Sequence, residues 1–396
     1  MDRRQFLKQS TLASSLFFVP SFIKAFENVS ASSLGYKRLV IIQLSGGNDG
    51  LNTIIPFHND DYYRNRPKIA IQKKEAIKVT DELGFHPNLR PLKKLYDEGY
   101  LTIINNVGYP NPNRSHFRAT DIWQTGSSAE QYLKTGWIGR YLDSYGKKPY
   151  NAIEIDDSLS LVLKGEHING IATTNPAVLF RTSQDPYFKN VLNYYQDEHL
   201  SEHNLGYLYK TMISAESSAK YIFEKYKTTS NTQTYPNNGF AHQLKTSAKL
   251  INSGIETKVF YASLNGFDTH AGQVNSQARL LKIYAESIEA FVRDLKQQGT
   301  FDDTLIVTFS EFGRRVKQNA ANGTDHGAAN NLFIIGNQLK KPGFYNELAS
   351  LSDLDDNGDL KYTVDFRSVY ATILDRWLAV QDDAILNASF PKLKFV

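Results

Sequence analysis

Four apolar runs limit what this chain can fold into more than any other feature. They are Lys37–Leu44 (KRLVIIQL), Leu101–Val107, Lys258–Leu264 (KVFYASL) and Thr304–Phe309, and each empties at once into a polar, glycine-bearing loop. Uninterrupted apolar runs of this length fit strands covered on both faces, as in an open α/β sheet. Apolar residues at helical spacing fill intervals between them, over Pro87 to Asp97, Gly136–Tyr145, Phe240–Ser253 and Val274–Gln298, with a last helix expected over Thr363–Leu378. Ligands of open α/β sheets bind beyond the carboxyl ends of the strands. The chemistry of this chain is therefore expected in the loops that follow the four runs.

Those loops carry titratable groups. The first run leads into SGGNDG with Asp49, the second into a Pro/Asn-rich loop ending at Ser115, and the third into Asp268 and His270. The stretch Phe301–Gly336 holds the fourth run, a long polar loop and a further apolar strand, Asn331–Ile335; its loop carries Glu311, Arg314, Arg315, Asp325 and His326. Asp49 alone would read as a turn-former in an Asn-Asp-Gly turn. Ser115 lies where a helix begins, as an N-cap or as a nucleophile whose ester the helix N–H groups would hold.

The chain has no cysteine, which excludes disulfides, thiolate zinc sites and a cysteine nucleophile. Any metal must sit on imidazole and oxygen ligands. Two imidazoles with several carboxylates suit Zn²⁺ or Mn²⁺, and two ions close together would suit phosphoryl or sulfuryl transfer. Other motifs recede. The glycines after the first run do not form G-x-G-x-x-G, so no dinucleotide site is expected. His199 and His203 stand four apart without the H-E-x-x-H order and read as a solvated helix face. Asp353–Asp359 imitates half a calcium loop, but Val364 stands where its bidentate Glu belongs, so a hairpin turn around Asn357-Gly358 is expected. The net charge of +4 is small for 396 residues, and no basic stripe points to nucleic acid.

Residues 1–31 read as a targeting segment. Arg3-Arg4 precede Phe6-Leu7-Lys8 and a modest apolar stretch from Leu12 to Ile23, interrupted by Pro20 and too short for a membrane span. The pattern resembles a twin-arginine export signal, with Val29-Ser30-Ala31 or Ala25 as the cleavage region. That resemblance implies the twin-arginine export machinery as a partner, a periplasmic or exported location, and no transmembrane segment in the mature protein. The alternative is an amphipathic N-terminal helix.

The combination SGGNDGLN, NRSHF, FDTH, SEFGR and TDHG, in this order along the apolar runs, resembles the alkaline-phosphatase-like superfamily of phosphatases and sulfatases. It is closest to an exported branch described as a domain of unknown function. The resemblance implies a three-layer α/β/α fold with a mostly parallel central sheet, spanning residues 32–396 as one domain with 127–250 as an insert or cap. It implies Ser115 as nucleophile, Asp268, His270 and His326 around one metal, and Asp49 and Glu311 around a second; Arg114 or Arg314 would meet the substrate anion, with Arg314 the first choice. Two positions depart from the family pattern: Glu311 replaces an Asp, and Phe312 stands where a His ligand belongs. The second site would then suit a harder ion such as Mg²⁺, Ca²⁺ or Mn²⁺, or stand empty. The formylglycine motif of sulfatases is not matched. The expected function is an exported metal-dependent hydrolase of phosphate or sulfate esters, on a small-molecule or glycan ester. The rival is a non-catalytic envelope binding or assembly protein, glycan-related for instance, that keeps the fold.

Overall fold

The computed structural model describes residues 35–194 and 204–396, and Lys37–Val396 packs as a unit. Its main sheet has nine strands. In chain order they are β1 (Arg38–Ser45), β2 (Leu101–Gly108), β3 (Ala152–Glu154), β4 (Ile171–Ala172), β5 (Val259–Asn265), β6 (Thr304–Phe309), β7 (Asn330–Ile335), β8 (Gly343–Phe344) and β9 (Val364–Asp365). Across the sheet the order is β8-β2-β7-β6-β1-β5-β3-β4, with β9 also on β2. Every pairing is parallel except those of β7, which runs antiparallel to both β2 and β6.

This topology positions the site. Strands β1, β2, β5 and β6 run the same way, so the loops after all four leave from one edge of the sheet. Because β7 is reversed, the loop from Phe309 to Asn330 goes out and returns at that same edge, bringing His326 back beside Glu311.

The three layers follow from the side-chain period of two along a strand. Val40, Ile42 and Leu44 of β1 join one core, with Leu92 and Leu95 of α1 (Arg90–Asp97) on the same side. Leu39 and Ile41 face the other core, with Ile122 and Trp123 of α2 (His116–Thr125) and Ile138 and Leu142 of α3 (Trp137–Tyr145). The first core also takes Leu244 and Ala248 of α4 (Gly239–Asn252) and Leu281, Ile288 and Phe291 of α5 (Gln273–Gln297). The second takes Phe366, Val369 and Tyr370 of α6 (Phe366–Thr372). A three-layer α/β/α architecture with a mostly parallel sheet is thus present.

The C-terminal helix starts later than expected, at Phe366, because Asp365 caps it by accepting from the Arg367 N–H; it passes into a π-turn over Ile373–Trp377. The Asp355–Asp359 segment makes the expected hairpin, closed by a bridge between Leu354 and Leu360 with Gly358 at φ 77°. Residues within 127–250 supply β3 and β4 at one side of the main sheet. Among the described residues, no helix is long and apolar enough to cross a membrane.

Glu154 ends β3, buried, and its carboxylate accepts from the Ser160 N–H at 2.6 Å and hydroxyl at 2.5 Å. Burial outweighs these bonds and pushes its pKa up to about 7. A folded-state pKa above the unfolded value means the folded chain holds the proton longer. Stability from this group is therefore full below the ordinary carboxyl pKa and is lost as pH rises toward 7. Denaturant titrations should find Glu154→Gln gaining about 3 kcal/mol on wild type between pH 4 and pH 8. A pH-independent difference would contradict this assignment.

Candidate metal centre

At the edge where the strands end, three imidazoles and one carboxylate converge. His116 opens α2 after β2, Asp268 and His270 follow β5, and His326 lies on the loop that returns to β7. One nitrogen of His116, one of His326 and one oxygen of Asp268 all lie within 4.8 Å of one another. Asp268 Oδ1 stands 3.0 Å from His270 Nε2, 3.2 Å from His326 Nε2 and 3.4 Å from His116 Nε2.

Two close backbone approaches allow this gathering. Gly46 sits at φ 116°, and a Cβ there would lie 2.4 Å from the Asp268 nitrogen, so only glycine lets the loop after β1 press against the loop after β5. Gly323 does the same for the returning loop: its Cβ would lie 2.3 Å from the His270 carbonyl.

The other ring nitrogen of each histidine is engaged from outside. His116 Nδ1 donates to Glu311 Oε1 at 2.9 Å, His270 Nδ1 to Asp325 Oδ1 at 3.1 Å, and His326 Nδ1 to the Arg114 carbonyl at 2.7 Å. Carboxylates and carbonyls only accept, so each Nδ1 carries a hydrogen; in the neutral ring Nε2 then presents a lone pair inward, and in the charged ring it donates to Asp268 Oδ1. His270 Nε2 and His326 Nε2 then face each other at 2.9 Å, while His116 Nε2 is buried without a hydrogen-bond partner. Inward lone pairs around one carboxylate oxygen repel one another unless a proton or a metal ion lies among them. Outer acceptors that fix the tautomer and orientation of imidazoles are the usual surroundings of a metal-bound histidine. The group His116, His326 and Asp268, with His270 Nε2 beside the same carboxylate oxygen, fits a divalent ion such as Zn²⁺ or Mn²⁺.

The electrostatics agree. Burial pushes the Asp268 carboxyl up, but the Arg314 hydrogen bond and charge, with His326 and His270, outweigh it and hold the pKa at about 2. The hydrogen bond to Glu311 raises the His116 pKa, whereas burial lowers that of His326. Side chains of Asp268 and His270 are nearly half exposed, so the centre opens to solvent on one side.

Several sequence candidates have other work here. Asp49 was expected to bind a second metal. It is fully buried, with Oδ2 on Arg66 Nη1 at 2.6 Å and on Gln273 Nε2, and with Oδ1 capping the helix Gly50–Thr53 through the Leu51 and Asn52 N–H groups. Arg66 supplies the positive charge that a second ion would have supplied. Glu311, the other expected ligand of that site, instead accepts from the Gly46 N–H at 2.8 Å and orients His116.

Arg314 was expected to meet the substrate anion. Its buried guanidinium donates to the carbonyls of Gly47, Thr324, Gly46 and Phe267 and to Asp268, so most of its hydrogen bonding is spent inside the protein. It is the brace that ties three loops to the carboxylate. Phe312, where a ligand was missing, packs its ring 4.8 Å from both His116 and His326 as an apolar wall.

Ser115 occupies the N-cap position of α2, exposed, and its side chain makes no capping bond. His199 and His203 lie outside the described residues. Reading motifs missed His116 and the orienting role of Asp325. A signal was available: His116 is a third imidazole following a strand, one position beyond Ser115.

Glu311→Gln should keep the fold and weaken metal binding by about 10–100-fold, the usual effect of losing an outer carboxylate. Competition against a chromogenic chelator reads this directly, and unchanged affinity would remove Glu311 from the centre.

A family model described as "Protein of unknown function (DUF1501)" matches residues 99–388. No curated protein matches the chain in sequence. Among solved structures, the chain is similar to the lipoteichoic acid synthase LtaP from Listeria monocytogenes, at 10% identity and a TM-score of 0.37, covering 79% of this chain and 68% of that one. It is similar to a protein in the alkaline phosphatase superfamily from Vibrio parahaemolyticus, at 12% identity and a TM-score of 0.36, covering 78% and 62%. It is also similar to the PsFucS1 sulfatase from Pseudoalteromonas sp., at 12% identity and a TM-score of 0.39, covering 94% and 73%.

Proposed function

The chain belongs to the DUF1501 family, and from its site we propose that it is an exported, metal-dependent hydrolase of phosphate or sulfate esters with one metal and a serine nucleophile. The observation that carries the proposal is the inward convergence of three Nε2 atoms on Asp268 Oδ1, each imidazole held from behind. Export is proposed from the Arg3-Arg4 leader alone.

His116, His270, His326 and Asp268 would hold the ion, which when bound supplies Lewis acidity toward an ester oxygen and a serine hydroxyl. Asp49 with Arg66, and Glu311 with His116, are committed elsewhere, so the reading needs one ion and not two.

The remaining work falls to the chain's own residues. Ser115 Oγ forms a bond to phosphorus or sulfur as the bond to the leaving alcohol breaks, and its proton ends on that alcohol. Water then cleaves the seryl ester and restores the hydroxyl. Supporting this role, the Ser115 side chain is free of any capping bond, and the first-turn N–H groups of α2 are positioned for developing negative charge. Arg114 replaces Arg314 as the group for the substrate anion. Its Nη2 is bound to Asp359, but its Nε–H is buried without a partner, and Arg315 Nε approaches the same Asp359 carboxylate at 3.6 Å. One carboxylate thus faces two guanidinium groups, one of them on the residue before Ser115.

Purified protein loaded with Zn²⁺ or Mn²⁺ should hydrolyse p-nitrophenyl phosphate or p-nitrophenyl sulfate. Ser115→Ala should lower kcat by at least about 100-fold while retaining the metal. Metal-loaded wild type inactive on both esters, or full activity in Ser115→Ala, would refute the proposed chemistry.

A further inference from the structure

Beside the centre, α2 and the segment that follows it leave two aromatic rings largely exposed. Phe117, the residue after His116, is 87% exposed, more than any other large hydrophobic side chain among the described residues. Tyr132 is 77% exposed. Its ring lies 3.7 Å from the guanidinium carbon of Arg118, also in the first turn of α2.

Arg118 is itself fixed. It is buried, and its Nη2 donates to the carbonyls of Ser128, Ala129 and Gln131. The Tyr132 ring is thus held on one face by an immobile cation and left open on the other. Both rings are tied to the helical turn that carries His116, and Ser115 precedes that turn. Packing explains neither exposure, and large apolar rings left in water beside a polar centre mark a contact surface.

The chemistry of the rim chooses the occupant. Asn111 Nδ2 donates to Glu130 Oε1 at 2.9 Å, and both side chains are exposed on the loops flanking the two rings, as is Asn113. Exposed amides and a carboxylate offer donors and acceptors to hydroxyl groups, while the rings offer flat apolar faces. A ligand with hydroxyls at its edge and C–H groups on its faces satisfies both. A purely apolar partner would leave the amides and Glu130 without a use, and an anionic polymer would meet Glu130 as a like charge.

We propose that Phe117 and Tyr132 form a stacking platform for a carbohydrate ring, the alcohol part of the ester that the neighbouring centre cleaves. Its place as the leaving alcohol rests on the hydrolase reading; the binding itself does not.

The test is binding, measured with metal removed by chelation, so that failure of the hydrolase chemistry leaves it intact. Full-length mature protein on a glycan array spanning neutral, amino and acidic oligosaccharides should select neutral or amino ones, and calorimetry should give the Kd; selection of acidic ones alone would overturn the platform. Phe117→Ala and Tyr132→Ala should each weaken that Kd by about tenfold. Phe117→Trp and Tyr132→Phe should restore binding, and melting temperatures should stay at the wild-type value. No binding anywhere on the array would overturn the platform. So would unchanged Kd in both alanine variants, or a loss that the aromatic replacements fail to rescue.

Discussion

His326→Ala is expected to empty the centre and leave the fold standing. The side chain bonds only to the Arg114 carbonyl on its outer nitrogen and faces Asp268 and His270 on its inner one. Its removal frees one backbone acceptor near solvent and takes away one of the proposed ligands. Losing an outer partner of a ligand typically costs 10–100-fold in affinity, so losing the ligand itself should cost more than about 100-fold. Thermodynamic linkage gives a second readout. At a hundredfold excess over Kd, bound metal stabilises the folded state by about 2.7 kcal/mol, a gain that chelation removes from wild type and that the variant never had. Equal metal content and equal response to chelator in the two proteins would contradict the centre.

Asp49→Ala should do the reverse, damaging stability and sparing the metal. Its carboxylate neutralises a guanidinium in a pair where both side chains are fully buried. Deleting one partner of a buried pair strands the other charge, at about 3–5 kcal/mol. Arg66 would keep its bonds to Asn52 Oδ1 and to the Val316 and Arg315 carbonyls, but no counter-charge. Asp49→Asn separates the two roles of the carboxylate. It can still cap the helix Gly50–Thr53 and should lose only the charge pairing. Chemical denaturation and metal analysis of the same samples decide the matter. Loss of metal in Asp49→Ala with stability intact would return Asp49 to the role of ligand.

The contrast between these two residues shows how far motifs could be read from the chain. The apolar runs announced β1, β2, β5 and β6, because strands buried on both faces need no alternation and leave a continuous signature. They could not announce the direction of β7, since an apolar run reads the same either way. Asp268, His270 and His326 were legible because imidazoles are few and two loops after strands carried them. His116 was passed over beside Ser115, although it met the same criterion.

Asp49 and Arg314 have protein partners that the sequence does not mark, for one physical reason. Whether a charged group serves a ligand or the protein depends on its burial and partners, and those partners are distant in sequence. Arg66 stands in a Tyr- and Arg-rich connector with nothing local to mark it. Arg314 and Arg315 are adjacent and chemically identical, yet one is buried and bonded to the backbone and to Asp268, while the other stays partly exposed near Asp359. Phe312 was noticed as a gap in a pattern. Its ring packs against two of the imidazoles and walls the proposed one-ion centre.

The most direct test of that one-ion centre is an anomalous difference map from crystals grown with Zn²⁺ or Mn²⁺ and measured at the metal's absorption edge. The prediction is one peak per chain, among the Nε2 atoms of His116, His270 and His326 and the carboxylate of Asp268. A map without a peak there, or with a second peak beside Asp49 in place of its bond to Arg66, would contradict it.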